Sequence, residues 1–176
     1  MTDLLNAVPV AAGDAFDIPA GRVHAIGAGC LLAEVQQDSD LTYRVWDHGR
    51  LVDGKPRELH LAQARQALRF DQPLASSAGR LQPAPQKEAW GAREDLLQSP
   101  YFKVERLDLH SEAGFEALDA PRACMVLQGA LSLNGALEVP ALRCALIPAG
   151  SEPSLAPLLS NTVLLWIGLP PRTNRV

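Results

Sequence analysis

The sequence predicts an all-β protein built from two small units, with one helix and a linker between them. Three observations predict it. Short apolar runs recur between clusters of Gly, Pro, Asp and Ser, the punctuation that separates strands. Asn134-Gly135 lies between two apolar runs, and this dipeptide readily takes the positive φ angles of a tight hairpin turn. The tetrapeptide Ile18-Pro19-Ala20-Gly21 recurs as Ile147-Pro148-Ala149-Gly150. In it Pro presets φ for a turn and Gly supplies the unusual φ after it. A β unit repeated in this way points to two related sandwich or jelly-roll barrels.

The elements follow in order. Residues 8–58 read as β structure, with apolar runs at 16–18, 23–26, 31–35 and 43–46. Residues 58–69 read as a helix, because Leu61, Ala64 and Leu68 recur at i, i+3 and i+7 on one face. Residues 71–92 are rich in Pro, Ala, Ser, Gly and Gln and show no period, so a linker is expected there, bounded at 71–98. The strands expected after it are YFKVERLDL, ACMVLQGALSLNG, RCALIPAG and TVLLWIGL. The expected units are therefore 1–70 and 99–176.

Composition narrows the function. The chain has 176 residues, 47% of them hydrophobic, enough for a packed core. A formal net charge of −4 argues against a nucleic-acid surface. The first residues, MTDLLNAVPVAAG, lack a basic leader, and no apolar run approaches membrane-span length. Cys30, Cys124 and Cys144 lack metal-type spacing and sit in apolar runs, so buried reduced thiols are expected. A soluble cytoplasmic protein fits that thiol state.

The chemistry concentrates in residues 13–60. His24 follows the first Pro-Ala-Gly turn, and Arg44, Arg50, Lys55 and Arg57 form a basic cluster in an otherwise acidic chain. Such a cluster suits a small anionic ligand. Glu34 and Gln36 alternate along one expected strand, either facing a barrel interior or forming a solvated face. In the second copy of the repeat Ser151, Glu152 and Pro153 stand where the first has Arg22, Val23 and His24. One unit with chemistry and one without is the expectation.

The segments IPAGRVHAIGAG, EVQQDSDLTYRVWDHGR and GKPRELH resemble, in order and spacing, the type I mannose-6-phosphate isomerases, a cupin family. The resemblance covers residues from about 8 to 65, and the second unit resembles the degenerate C-terminal cupin of that family more loosely. It implies one partial and one degenerate cupin (double-stranded β-helix) unit with a connecting helix. It further implies a zinc-dependent aldose–ketose isomerase that interconverts mannose 6-phosphate and fructose 6-phosphate through an enediol.

By the same resemblance His24 matches a metal-ligand histidine, Arg44 a catalytic arginine, and Arg50 a basic position associated with the phosphate. Lys55 and Arg57 are further candidates for substrate binding, and Glu34 is the candidate for proton transfer. His60 is expected to make a structural hydrogen bond, and His48 and His110 to lie on the surface. The family's other metal ligands include a Gln-x-His pair, and neither Gln-x-His nor His-x-His occurs here. The expectation is a C-terminal portion without the N-terminal metal-ligand segment. A barrel so opened exposes strand edges and apolar surface. A second copy of the chain, a separate N-terminal partner, or the helix and linker folded into the gap could cover it, and the expectation is a homodimer or an N-terminal partner. A non-catalytic cupin that binds a sugar phosphate or a partner protein is the alternative function.

Overall fold

The computed structural model describes residues 4–39, 41–70 and 79–170. The chain divides into two compact units, Met1–Leu81 and Gln82–Val176.

The first unit carries little regular structure. Its elements are β1 (Ala15–Phe16), β2 (Leu51–Val52), β3 (Lys55–Pro56), α1 (Leu61–Ala67) and β4 (Arg80–Leu81). β1 pairs antiparallel with β4, and β2 with β3. The turn between β2 and β3 is Asp53-Gly54, both at positive φ (51° and 74°), as a tight hairpin demands. The strands expected at 23–26, 31–35 and 43–46 do not form. A strand needs a neighbour for its backbone hydrogen bonds, and no strand of the unit pairs with these runs. Their side chains accordingly lie open: Leu31 is 82% exposed, and Ile26, Leu32 and Tyr43 are also exposed.

The helix is shorter than its apolar period implied. His60 stands at its N-cap without a side-chain cap bond, and Leu68 ends it in an extended conformation. Of the expected apolar face Ala64 is buried, while Leu61 is exposed. The first Ile-Pro-Ala-Gly segment makes its turn: the Arg22 N–H donates to the Pro19 carbonyl at 3.1 Å, and Gly21 has φ 86°.

The second unit is a two-sheet antiparallel barrel. Its strands are β5 (Gln86–Glu88), β6 (Gly91–Gln98), β7 (Lys103–Leu109), β8 (Ala113–Gly114), β9 (Arg122–Gln128), β10 (Ala130–Leu133), β11 (Leu137–Pro140), β12 (Cys144–Ile147), β13 (Ser154–Pro157) and β14 (Thr162–Gly168). One sheet has the order β12-β9-β14-β7-β6-β5, the other β11-β10-β13-β8. Alternate residues of each strand face the partner sheet. The core is therefore drawn from both: Leu107, Leu109, Cys124, Val126, Leu164 and Trp166 from the first, Leu131, Leu133, Val139 and Leu155 from the second. The Asn134-Gly135 turn joins β10 to β11 with both residues at positive φ (54° and 65°). The all-β expectation holds, and the strand pattern here is that of a jelly roll.

The linker expected over 71–98 is corrected in its second half. Residues 71–78 lie outside the described residues, but β4, β5 and most visibly β6 fall within the expected span. β6 pairs along most of its length with β7. Its charged side chains hide it in the sequence, because they pair across the sheet rather than face solvent: Arg93 meets Glu105, and Glu94 meets Arg106. The cysteine expectation holds only for Cys124; Cys30 and Cys144 are exposed. On β12 Cys144 and Leu146 alternate with the buried Ala145 and Ile147, so Cys144 takes the outer face.

Candidate functional site

Asp47 organises the basic cluster of the first unit. It is buried, only 7% exposed, and a buried carboxylate needs charge and hydrogen-bond partners. Arginines supply them. Arg50 Nη2 donates to Asp47 Oδ1 at 2.5 Å and Arg57 Nη1 at 3.5 Å, and Arg44 Nε lies 3.9 Å away. The Arg50 N–H also donates to the Asp47 carbonyl at 2.9 Å, closing a turn. The hydrogen bond from Arg50, together with the charges of Arg50, Arg57 and Arg44, holds the Asp47 carboxyl below its ordinary range against the opposing effect of burial. Three guanidinium groups against one carboxylate leave an excess of two positive charges. Asp47 Oδ2 is buried without a hydrogen-bond partner.

Arg44 is fixed by its backbone as well as its side chain. Its N–H donates to His60 Nδ1 at 3.0 Å, and the His60 N–H returns a bond to the Arg44 carbonyl at 2.8 Å. Nδ1 is thus an acceptor, so a neutral His60 carries its proton on Nε2. This is the structural hydrogen bond expected of His60. The Arg44 Nη1 donates to the Glu58 carbonyl at 2.9 Å. Beside Arg44, Tyr43 and the α1 residues Gln63, Gln66 and Ala67 line a shallow depression of about 220 Å³.

The structure brings some of the expected site residues together and leaves others apart. Arg44 and Arg50 meet on Asp47, with Arg57 as the third arginine. Lys55 is exposed on the β2–β3 hairpin with no ion pair among the described residues. His24 is exposed, and its Nδ1 lies 3.0 Å from the Arg22 carbonyl. Glu34 and Gln36 are exposed in irregular chain, not on a strand. No hydrogen bond or ion pair among the described residues joins His24 or Glu34 to the arginine cluster. His48 packs its ring 3.9 Å from that of Trp46 and has φ 55°. The sequence expectation did not include Asp47, although its place as the one acid between Arg44 and Arg50 was its signal.

The described residues contain no group of three or more His, Cys, Asp or Glu side chains able to hold a metal. Nor is any helix among them long and apolar enough to cross a membrane.

Comparison with known proteins sets this geometry in a family. No family model matches the chain. A putative mannose-6-phosphate isomerase of Bacillus subtilis is 33% identical over 127 residues, 72% of this chain and 39% of that protein. The mannose-6-phosphate isomerase of Streptococcus mutans is 34% identical over 146 residues, 80% of this chain and 43% of that protein. Among solved structures, the crystal structure of mannose 6-phosphate isomerase from Bacillus subtilis superposes with a TM-score of 0.63 at 25% identity. That match covers 74% of this chain and 41% of the crystallised one. The chain thus spans about two fifths of the length of these relatives.

Proposed function

The chain belongs to the mannose-6-phosphate isomerase family, with its all-β cupin fold, and on that premise we propose that its first unit holds a sugar phosphate for aldose–ketose isomerisation. The observation that carries the proposal is the gathering of Arg44, Arg50 and Arg57 on buried Asp47. Their excess of two positive charges suits a phosphate monoester, which carries about −1.5 to −2 at neutral pH.

The interconversion of mannose 6-phosphate and fructose 6-phosphate moves a proton between C1 and C2 through an enediol. Negative charge develops on the sugar oxygens as the proton leaves, and preorganised cations lower that barrier. Arg44 is anchored through its backbone and through Glu58, and guanidinium N–H groups beyond that anchor remain to stabilise the oxyanion. Arg50 and Lys55 are assigned to the phosphate. Asp47 Oδ2, an acceptor in need of a donor, is suited to a sugar hydroxyl. Glu34 is the carboxylate assigned to carry the proton.

A catalytic zinc takes about three protein ligands. His24 is the proposed ligand of this chain and offers a single imidazole, and the described residues hold no ligand group around it. They do not fit a zinc centre, and the chemistry assigned here rests on the arginines and Glu34. The same observation favours a second reading, a cupin that binds the sugar phosphate, or a partner protein, without turning anything over.

The exposed side chains of Ile26, Leu31, Leu32, Leu41 and Tyr43 support a covering surface over the first unit. We assign it to a second copy of the chain, with a separate partner as the competing outcome of a light-scattering measurement. The exposed thiols of Cys30 and Cys144 suit a reducing cytoplasm.

A coupled assay of mannose 6-phosphate conversion, with and without added zinc, on the wild type and Arg44→Ala tests the proposal. Turnover that falls about 100-fold or more in the variant supports the isomerase reading. Retained binding without turnover favours the second reading. Neither binding nor turnover contradicts both.

A further inference from the structure

The second unit contains a charged cavity that the isomerase reading does not use. It has a volume of about 260 Å³ and opens onto the inner face of the larger sheet. Its floor is apolar, formed by Leu107 and Trp166, both buried. Phe115 stacks on Trp166 with ring centroids 5.2 Å apart, at 24°. Around this floor stand Arg93, Lys103 and Arg122, with buried Glu105 between them and exposed Glu116 at the rim.

The sheet register explains the arrangement. Gly168 of β14 pairs with Lys103 on one side and Arg122 on the other. The glycine leaves a gap into which Arg122 lies: a Cβ at 168 would sit 1.8 Å from Arg122 Nη1. Two residues along β7, Glu105 faces the same way as Lys103.

The charges then sort themselves. Lys103 Nζ reaches Glu105 at 3.0 Å and Asp95 at 2.9 Å, and Arg93 Nε lies 3.5 Å from Glu105. These two cations and two carboxylates balance. Arg122 is left with one distant acid, Asp119 at 3.8 Å through Nη2. Its Nε and Nη1 are buried with no hydrogen-bond partner. Unpaired guanidinium donors shut away from water are costly, and an oxyanion meets them with parallel acceptors.

We propose that this cavity is a binding site for a small organic anion, whose phosphate or carboxylate is held by the Arg122 guanidinium and whose apolar or ring body packs on Trp166 and Phe115. The volume limits the ligand to a size below the usual drug-like range, whose pockets begin at roughly 300 Å³. The site shares no residue with the Asp47 cluster and stands whether or not the first unit isomerises sugars. It departs from the expectation that only the first unit carries chemistry.

The test follows the Trp166 indole resonance by two-dimensional NMR during titration with benzoate, phenyl phosphate and the neutral control benzyl alcohol. Saturable shifts are expected with one or both anions below about 10 mM. Which anion acts assigns the ligand to the carboxylates or the phosphates. Arg122→Gln is expected to weaken anion binding by about tenfold or more. If that variant loses its dispersed spectrum, Arg122→Lys, which keeps the charge without the fork, is expected to weaken it by a similar factor. No saturable shift with either anion, equal shifts with benzyl alcohol, or unchanged affinity in the folded variant would overturn the proposal.

Discussion

Ile18–Gly21 and Ile147–Gly150 make the same turn, yet the chain that leaves each follows a different course. Both close with a donor after glycine bonding back to proline: Arg22 to Pro19 at 3.1 Å, and Ser151 to Pro148 at 3.4 Å. Beyond the second turn the chain enters β13 and is paired on both sides, by β10 and β8. Beyond the first, residues 22–39 meet no strand, and the apolar side chains stay exposed. The first glycine is nonetheless the more crowded. A Cβ at Gly21 would lie 2.6 Å from Arg69 Cγ and 2.7 Å from the Ala67 carbonyl, while one at Gly150 meets nothing within 4 Å. Turn chemistry is local and survives in both contexts. Strand formation is not local, because it depends on a neighbour.

This contrast breaks first where burial differs most. Leu107 is fully buried and Leu31 is 82% exposed. Leu107→Ala is expected to cost about 2–5 kcal/mol, and Leu31→Ala to stay within about 0.5 kcal/mol. Urea unfolding followed by the fluorescence of Trp166 in the second unit, and by hydrogen exchange of the Arg44 amide in the first, reads both. Similar costs at the two sites would undo the contrast.

The turns themselves sharpen it. Gly150→Ala places a side chain at φ 77° in open space, a backbone cost of about 1–2 kcal/mol. Gly21→Ala adds a clash with the Ala67 carbonyl and Arg69 to the same backbone cost, so it is expected to destabilise its own unit by more. Amide exchange near each turn measures the difference, and the opposite ranking would show that the first turn tolerates movement.

Acid compares the two units through one carboxylate each. The hydrogen bond from Arg50 lowers the pKa of Asp47, and that from Lys103 lowers the pKa of Asp95. In each case the folded state binds the proton less readily than the unfolded chain. The resulting stability is present above about pH 4 and lost as pH falls through the folded-state pKa. Asp47→Asn is expected to flatten the acid limb for the Arg44 amide and leave that of the second unit unchanged. Equal acid limbs in the variant and the wild type would show that Asp47 does not set the acid stability of the first unit.

The smallest expected effect is chemical. Burial, with a lesser contribution from Cys144, pushes the Cys124 thiol up to about 12. Alkylation of the native protein at mildly alkaline pH is expected at Cys30 and Cys144 and not at Cys124, read by peptide mass spectrometry. Labelling of Cys124 at a comparable rate would mean that the second core opens readily.

What was legible follows from where the signal lies. β7 alternates apolar and polar residues, and β9, β12 and β14 carry short unbroken apolar runs, so all four could be read directly, as could the Asn134-Gly135 hairpin. β6 could not, since Arg93, Glu94 and Asp95 look like linker until their cross-strand partners are known. The runs at 23–26 and 31–35 erred the other way: their apolar content resembled strands, but content supplies no pairing partner. The positive charges of the first unit were legible one by one. Their convergence on Asp47 was not, because a contact between residues 47 and 57 through a hairpin has no period. The Arg122 cavity was hidden for a similar reason, since its residues come from separate strands and meet only through the sheet register.

The most direct test is a calorimetric titration of mannose 6-phosphate into the wild type, Arg50→Gln and Arg122→Gln. Saturable binding to the wild type is expected, weakened about tenfold or more by Arg50→Gln and retaining a first-unit site in Arg122→Gln. Affinity unchanged in Arg50→Gln, or binding abolished by Arg122→Gln alone, would contradict the assignment of the sugar phosphate to the arginines gathered on Asp47.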